Sequence, residues 1–224
     1  MTPRIDLYTN IHKGQRRRFF NISNQAGTLD YTDPKALDTL YDEIISFREH
    51  MRRHANTEEK FIHPILSQRV PSGALRLEQD HKVMHQRFDD IVSQLTAIKS
   101  LSPDFERRSE LVLEFYRSWS RFTSFYFMHI NREEEQAMPT LWKVCTDQEL
   151  ASLFKSILSS QGQEELTGDF KMMLPAMNLQ EQVDLLSAGR ATIPPEVYQS
   201  SLKLAQSVLG PNEWAALKTK LGMP

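Results

Sequence analysis

Seven histidines, His12, His50, His54, His63, His81, His85 and His129, all fall before residue 130 of a chain of 224 residues. Imidazole is the commonest metal ligand and a proton carrier near neutral pH, so this part of the chain is where chemistry is expected. Three pairs have four-residue spacing: His54 with Glu58, His81 with His85, and His129 with Glu133. On a helix such residues share one face about a turn apart, and both can address a single point. Each pair also lies on an apolar stripe. A single buried histidine is ordinarily a hydrogen-bonded core residue, but a buried glutamate is rare, because an ionised carboxylate is seldom buried alone. Two His/Glu pairs and a His/His pair converging on one core need a shared cation, and helical bundles build such sites from facing helices.

An internal repeat supports this. Residues 54–64 align with 129–139, matching His54 with His129, Asn56 with Asn131, Glu58 with Glu133, Glu59 with Glu134 and Pro64 with Pro139. Phe47 and Phe122 match upstream. Each segment ends a helix near a proline. Two copies of one hairpin would each present a glutamate, the arrangement of a carboxylate-bridged dinuclear site. His12 completes a set of five histidines with His54, His81, His85 and His129. If Glu58 and Glu133 both bridge, and an oxo or hydroxo group adds two contacts, about one of roughly twelve positions on two octahedral ions is left open. An open position is where a small diatomic ligand binds. Nitrogen-rich, carboxylate-bridged ligation suits iron, with manganese or zinc left open.

The elements that must position these residues are helices. No glycine falls between Gly27 and Gly73 or between Gly73 and Gly162, which disfavours hairpins. Amphipathic stripes run through Leu40, Ile44, Phe47, Met51, His54 and Glu58; through His81, His85, Phe88, Val92 and Leu95; through Leu111, Phe115, Ser118, Phe122, Phe125, His129 and Glu133; and, more weakly, through Ile5, Tyr8, His12, Gln15 and Phe19. Asp33-Pro34 is a cap with proline at the first position. The breaks fall at 24–28 and 70–73, and Ser102-Pro103 opens the fourth helix. The expected fold is all-α, an antiparallel up-down-up-down four-helix bundle over residues 1–145, followed by a small helical extension over 146–224. In the extension, short helices are expected to Leu158, over 179–186, over 195–208 and over 211–221, with 159–168 as linker or loop.

Composition narrows the function. The net charge is −2, which gives no support to nucleic acid or an acidic membrane as partner. Cys145 is the single cysteine, so no intrachain disulfide or cysteine-rich cluster forms. No apolar run approaches the roughly 20 residues of a membrane span, and the N-terminus does not read as a signal peptide. A cytoplasmic setting is expected.

The ordered pattern His12, His54-x-x-x-Glu58, His81-x-x-x-His85, His129-x-x-x-Glu133 resembles the hemerythrin-like (HHE cation-binding) family over about residues 1–145. The resemblance implies a four-helix bundle holding a non-haem di-iron centre, two iron ions with an oxo or hydroxo bridge. Its terminal ligands would be His12, His54, His81, His85 and His129, with Glu58 and Glu133 as bridges. Oxygen-carrying members place an aspartate five residues after the last histidine. Here Glu134 stands at that spacing and Glu133 at the four-residue spacing of iron-sensing and iron-centre-repair relatives, so Glu133 is preferred and Glu134 is second.

The expected function is therefore binding of a small diatomic ligand, oxygen or nitric oxide, for sensing, storage or delivery, in a metal- and oxygen-binding protein more than an enzyme. The alternative is a di-iron oxidoreductase, or an iron donor or repair protein, acting on peroxide, nitric oxide or damaged iron centres. The extension could carry a protein partner. Among the remaining candidates, His50 is read as supporting or surface and His63 as solvent-facing at a frayed helix end. Glu59 and Glu134 are either acceptors for ligand imidazoles or surface charges. Glu78 is a helix-entry charge and Arg16–Arg18 a solvated face. Phe115, Trp119, Phe122, Phe125 and Tyr126 form packing that shapes a dry pocket, with Tyr126 able to bond a bound ligand.

Overall fold

The computed structural model describes residues 4–101 and 105–223, and these are helical with no strand among them. The helix opening expected at Ser102-Pro103 lies outside the described residues. In chain order the helices are α1 (Thr9–Gly27), α2 (Pro34–Phe61), α3 (His63–Arg69), α4 (Leu75–Ser100) and α5 (Phe105–Arg132). A π-helical segment, Glu133–Ala137, leads into α6 (Met138–Val144) and α7 (Asp147–Ser159). Next come α8 (Gln163–Met173), α9 (Leu179–Thr192), α10 (Pro195–Val208) and α11 (Pro211–Lys220).

The chain folds as two compact units, one formed by residues 1–7 and 19–159 and the other by residues 8–18 and 160–224. In the first, α4 packs against α2 and α5. Asp33 starts α2 as its cap, accepting from the Lys35 N–H at 2.9 Å with Pro34 in the first turn. Leu37, Leu40, Ile44, Phe47 and Met51 form the buried stripe of α2, and Phe88, Ile91, Leu95 and Ile98 that of α4. Phe19 gathers the aromatic core: its ring lies 4.8 Å from Phe47, 5.2 Å from Trp119 and 4.8 Å from Tyr126. The Trp119 indole N–H is satisfied by Ser23 Oγ at 2.9 Å. The break after α3 is a tight turn. Ser72 takes φ 59, and a Cβ at Gly73 would meet the Leu66 carbonyl oxygen at 2.9 Å, so the chain needs glycine there.

The α2–α3 and α5–α6 segments match in register. His63 opens α3 where Met138 opens α6, and Arg69 closes α3 where Val144 closes α6. Leu66 and Leu141 are both buried, and α3 packs on α6. Arg69 ties the two together, donating from Nη1 to the Val144 carbonyl at 2.6 Å. α7 packs on α2, and Glu149 accepts from Arg69.

The second unit has its own core of Leu174, Leu186, Leu202, Ala205 and Leu217. Residues 159–168 are not a linker throughout: α8 already begins at Gln163. Its turn is closed by the Glu165 carboxylate, which accepts the Gly162 N–H at 2.8 Å. Serine and glycine in this stretch obscure a helix whose Phe170 and Met173 pack against the core of this unit. The α1 segment of this unit packs closely on α8, since a Cβ at Gly14 would lie 3.0 Å from the Met172 carbonyl oxygen. Lys13 pairs with Glu181.

Candidate metal centre

Each His-x-x-x-Glu pair is brought to one face by helix geometry, as its spacing requires. On α2, His54 Nε2 lies 3.0 Å from Glu58 Oε1. At the end of α5, His129 Nε2 lies 3.1 Å from Glu133 Oε1. From α4, His81 Nε2 stands between them, 3.2 Å from Glu58 Oε2 and 3.9 Å from Glu133 Oε1. One donor atom from each of Glu58, His81, His129 and Glu133 lies within 4.8 Å of the others, and all four residues are buried.

The contacts test whether a cation fits. Both Glu58 oxygens stand near imidazole nitrogens, yet neither oxygen makes a hydrogen bond, and nor does His81 Nε2. Buried donor atoms that approach one another without hydrogen-bonding are an arrangement a shared cation would satisfy. Leaving such buried acceptors unsatisfied would cost several kcal/mol, about 1–3 for each. The donor set of imidazoles and carboxylates suits first-row transition metals.

Electrostatics agrees. Burial disfavours the charged ring of His81, but the close carboxylates of Glu133, Glu58 and Glu59 outweigh it and push the pKa up to about 11. Burial likewise opposes His129, and the Glu133 charge with Asp80 lifts it to about 9. Burial would raise Glu58, yet the charge of the close His54 ring holds it well below the usual carboxylate range. Two buried carboxylates thus recruit positive charge from whatever is at hand, protons or a cation, and a metal bound to such a set displaces protons.

Supporting groups hold the rings. Glu59, half-exposed, lies 2.9 Å from His81 Nδ1, placed to accept its N–H, so that Nε2 is the nitrogen a cation beside Glu58 would take. A carboxylate behind a ligating imidazole fixes its tautomer and orientation. Asp80 was not singled out by sequence reasoning. It is buried on α4, its Oδ2 3.5 Å from His129 Nδ1 and 2.6 Å from Arg132 Nη1, while Arg76 Nε reaches Oδ1 at 3.1 Å. Each of these two imidazoles is therefore backed by a carboxylate from the preceding bundle helix. The available signal was an acid directly before His81, with Arg76 four residues earlier.

The other candidates fall as follows. His85 is half-buried and lines a cavity of about 10 Å³ with Arg48, Met51, Arg52, Met84, Phe88 and Phe122. It stands outside the four-residue group. Burial lowers its pKa. His12 is fully buried on α1, one turn after Tyr8, with ring centroids 5.4 Å apart. His50 is buried in a column of rings, 6.1 Å from Phe47 and 6.3 Å from His54. Glu134 is half-buried, while Glu133 is fully buried and opens the π-helical segment, a distortion that recurs at functional sites. Tyr126 is buried 6.0 Å from the His129 ring.

One expectation is overturned. His63 is not solvent-facing: it is 2% exposed and stacks on His81 with ring centroids 5.1 Å apart. The proline after it does not fray the helix. Pro64 sits in the first turn of α3, where a missing N–H costs nothing, and His63 is the buried first residue of that helix.

No helix of the described residues is long and apolar enough to cross a membrane. No curated protein and no solved structure matches the chain. The family model described as the hemerythrin HHE cation-binding domain matches residues 4–143. With its ordered ligand pattern and a buried His/Glu cluster able to hold a cation, the chain belongs to the hemerythrin HHE cation-binding family.

Proposed function

We propose that the chain is a non-haem di-iron protein that binds a small diatomic ligand, oxygen or nitric oxide, for sensing, storage or delivery. The observation that carries the reading is the buried convergence of Glu58, His81, His129 and Glu133 on one point from three helices. Around it we place an up-down-up-down bundle of α1, α2, α4 and α5 and the ligand set His12, His54, Glu58, His81, His85, His129 and Glu133. His12 and His85 enter that set on the family's ordered pattern.

Two iron ions would supply the redox-active, Lewis-acidic positions at which the ligand is taken up. The chain's own residues do the rest. Glu58 and Glu133 neutralise cationic charge in a dry interior. Glu59 and Asp80 hold the imidazoles in place. Met51, Met84, Phe88 and Phe122 wall the cavity beside His85, whose volume of about 10 Å³ is near that needed for one water-sized molecule. The single free cysteine, Cys145, is consistent with a reducing, cytoplasmic setting.

A second reading, an oxidoreductase or an iron donor or repair protein, is favoured by one feature: the buried carboxylate is Glu133, at the four-residue spacing, and not Glu134. Iron content measured alongside absorption spectra of anaerobic, oxygenated and nitric-oxide-treated protein separates the two. Two irons per chain with a spectrum that reverses on removing the gas supports binding. Irreversible bleaching, or release of iron to an acceptor, supports the second. Far less than one metal per chain after loading overturns both.

A further inference from the structure

His63 is an imidazole that the ligand pattern does not use. It is buried, and neither Nδ1 nor Nε2 has a hydrogen-bond partner. A buried polar group left in that state costs free energy, so its persistence calls for a function. Its register partner in the second copy is Met138, equally buried at the start of α6, whose sulfur takes the Leu7 N–H at 3.3 Å. The fold therefore accepts an apolar side chain at this register position, and packing alone does not demand histidine.

The surroundings of His63 indicate what it could serve. Its ring lies against His81, which faces Glu58 and Glu133 on one side and bonds Glu59 on the other. The Glu59 side chain is 43% exposed, so its carboxylate reaches solvent while touching a centre residue. Glu59 and His63 thus each meet His81, Glu59 from the solvent side and His63 from within the protein.

We propose that His63 is a transit ligand: with Glu59 it takes up a divalent first-row cation and passes it inward to the His81 and Glu58 positions. This rests on the metal-centre reading above. A neutral imidazole lone pair can hold such a cation for a moment, and a carboxylate at the surface end draws it in by charge. His63 does not belong to the four-residue group, so it is expected to govern how fast the centre fills and not how much it holds.

The test is stopped-flow loading of metal-stripped full-length protein with cobalt(II) ions, followed by equilibrium titration and metal analysis. H63M keeps a side chain that the matching register position accommodates, and H63Q keeps polarity without a ring nitrogen. Both are expected to load about tenfold or more slowly, with unchanged final cobalt per chain and unchanged equilibrium affinity. Wild-type loading rates in both variants would overturn the proposal. So would a fall in final stoichiometry or affinity, since His63 would then be a resident ligand. Failure of the wild-type protein to take up cobalt at all is a different result and would refute the metal centre itself.

Discussion

The two copies of the His-x-x-x-Glu segment carry the same ligand types at the same spacing and solve the same problem differently. In the first copy α2 stays α-helical through Phe61, and Ile62 still closes on the Glu58 carbonyl at 2.8 Å, but its φ of −99° departs from the helical value and separates α2 from α3. In the second the ladder widens into a π-helical segment that begins at Glu133 and runs straight into α6. The first copy is also the wetter one. His54 is 13% exposed and Glu59 reaches solvent, whereas His129 and Glu133 are almost wholly buried. Among the described residues the carboxylate behind His81 carries no guanidinium partner, while that behind His129 is clamped by Arg76 and Arg132. Matched ligands therefore sit in unmatched surroundings. One half is open to exchange with solvent and the other is a fixed, dry wall.

Removing a carboxylate tests whether both halves are needed. E58A and E133A are each expected to lower bound metal below half of the wild-type content. Each should also cost about 3–5 kcal/mol of metal-loaded stability, because the partner imidazoles keep buried charge without compensation. Metal analysis and denaturant unfolding check this. If E58A alone loses metal, the dry half is structural and the comparison fails.

A finer test sits within the second copy. E134A is expected to keep its metal and change stability by no more than about 1 kcal/mol, as for a half-buried surface charge. The reverse, metal kept in E133A and lost in E134A, would move the ligand to the five-residue spacing.

His63 and Met138 give the next contrast. H63A is expected to lower unfolding stability by about 1–3 kcal/mol through the cavity it leaves. H63M should cost less than about 1 kcal/mol, measured by thermal or denaturant unfolding without metal. Equal, negligible effects would return His63 to the surface.

The smallest effect concerns the contact that joins the ends of the two copies. The Arg69 hydrogen bond, with help from Thr146, pushes Glu149 down to about 2. A depressed carboxylate stabilises the fold above its ordinary pKa, near 4.5, and that contribution is lost as pH falls through about 2. The carboxyl carbon of Glu149 should titrate near 2 by NMR, and R69A should return it toward the ordinary value. An unshifted midpoint in the wild-type protein would show that Arg69 does not pair with Glu149.

Much of the site was legible because helix geometry is local. A histidine and a glutamate four residues apart must share a face, so the pairs, the repeat and the helices carrying them follow from spacing alone. So does the Asp33 cap, which depends on neighbours in sequence. His63 and Asp80 were not legible. Their roles depend on α3's first residue, a histidine beside a proline, stacking on His81, and on arginines from two helices meeting one aspartate. The helix at 163–173 was missed because Gly162 and Gly168 read as loop signals.

The sequence by itself therefore determined the helical class, the ligand types and their pairing into turns, because these are set by periodicity within about two turns of chain. Only the tertiary structure decided which donor atoms converge, how dry each half is, and which carboxylate stands behind which imidazole. Those are contacts between helices far apart in the chain, fixed by side-chain packing that no local spacing encodes.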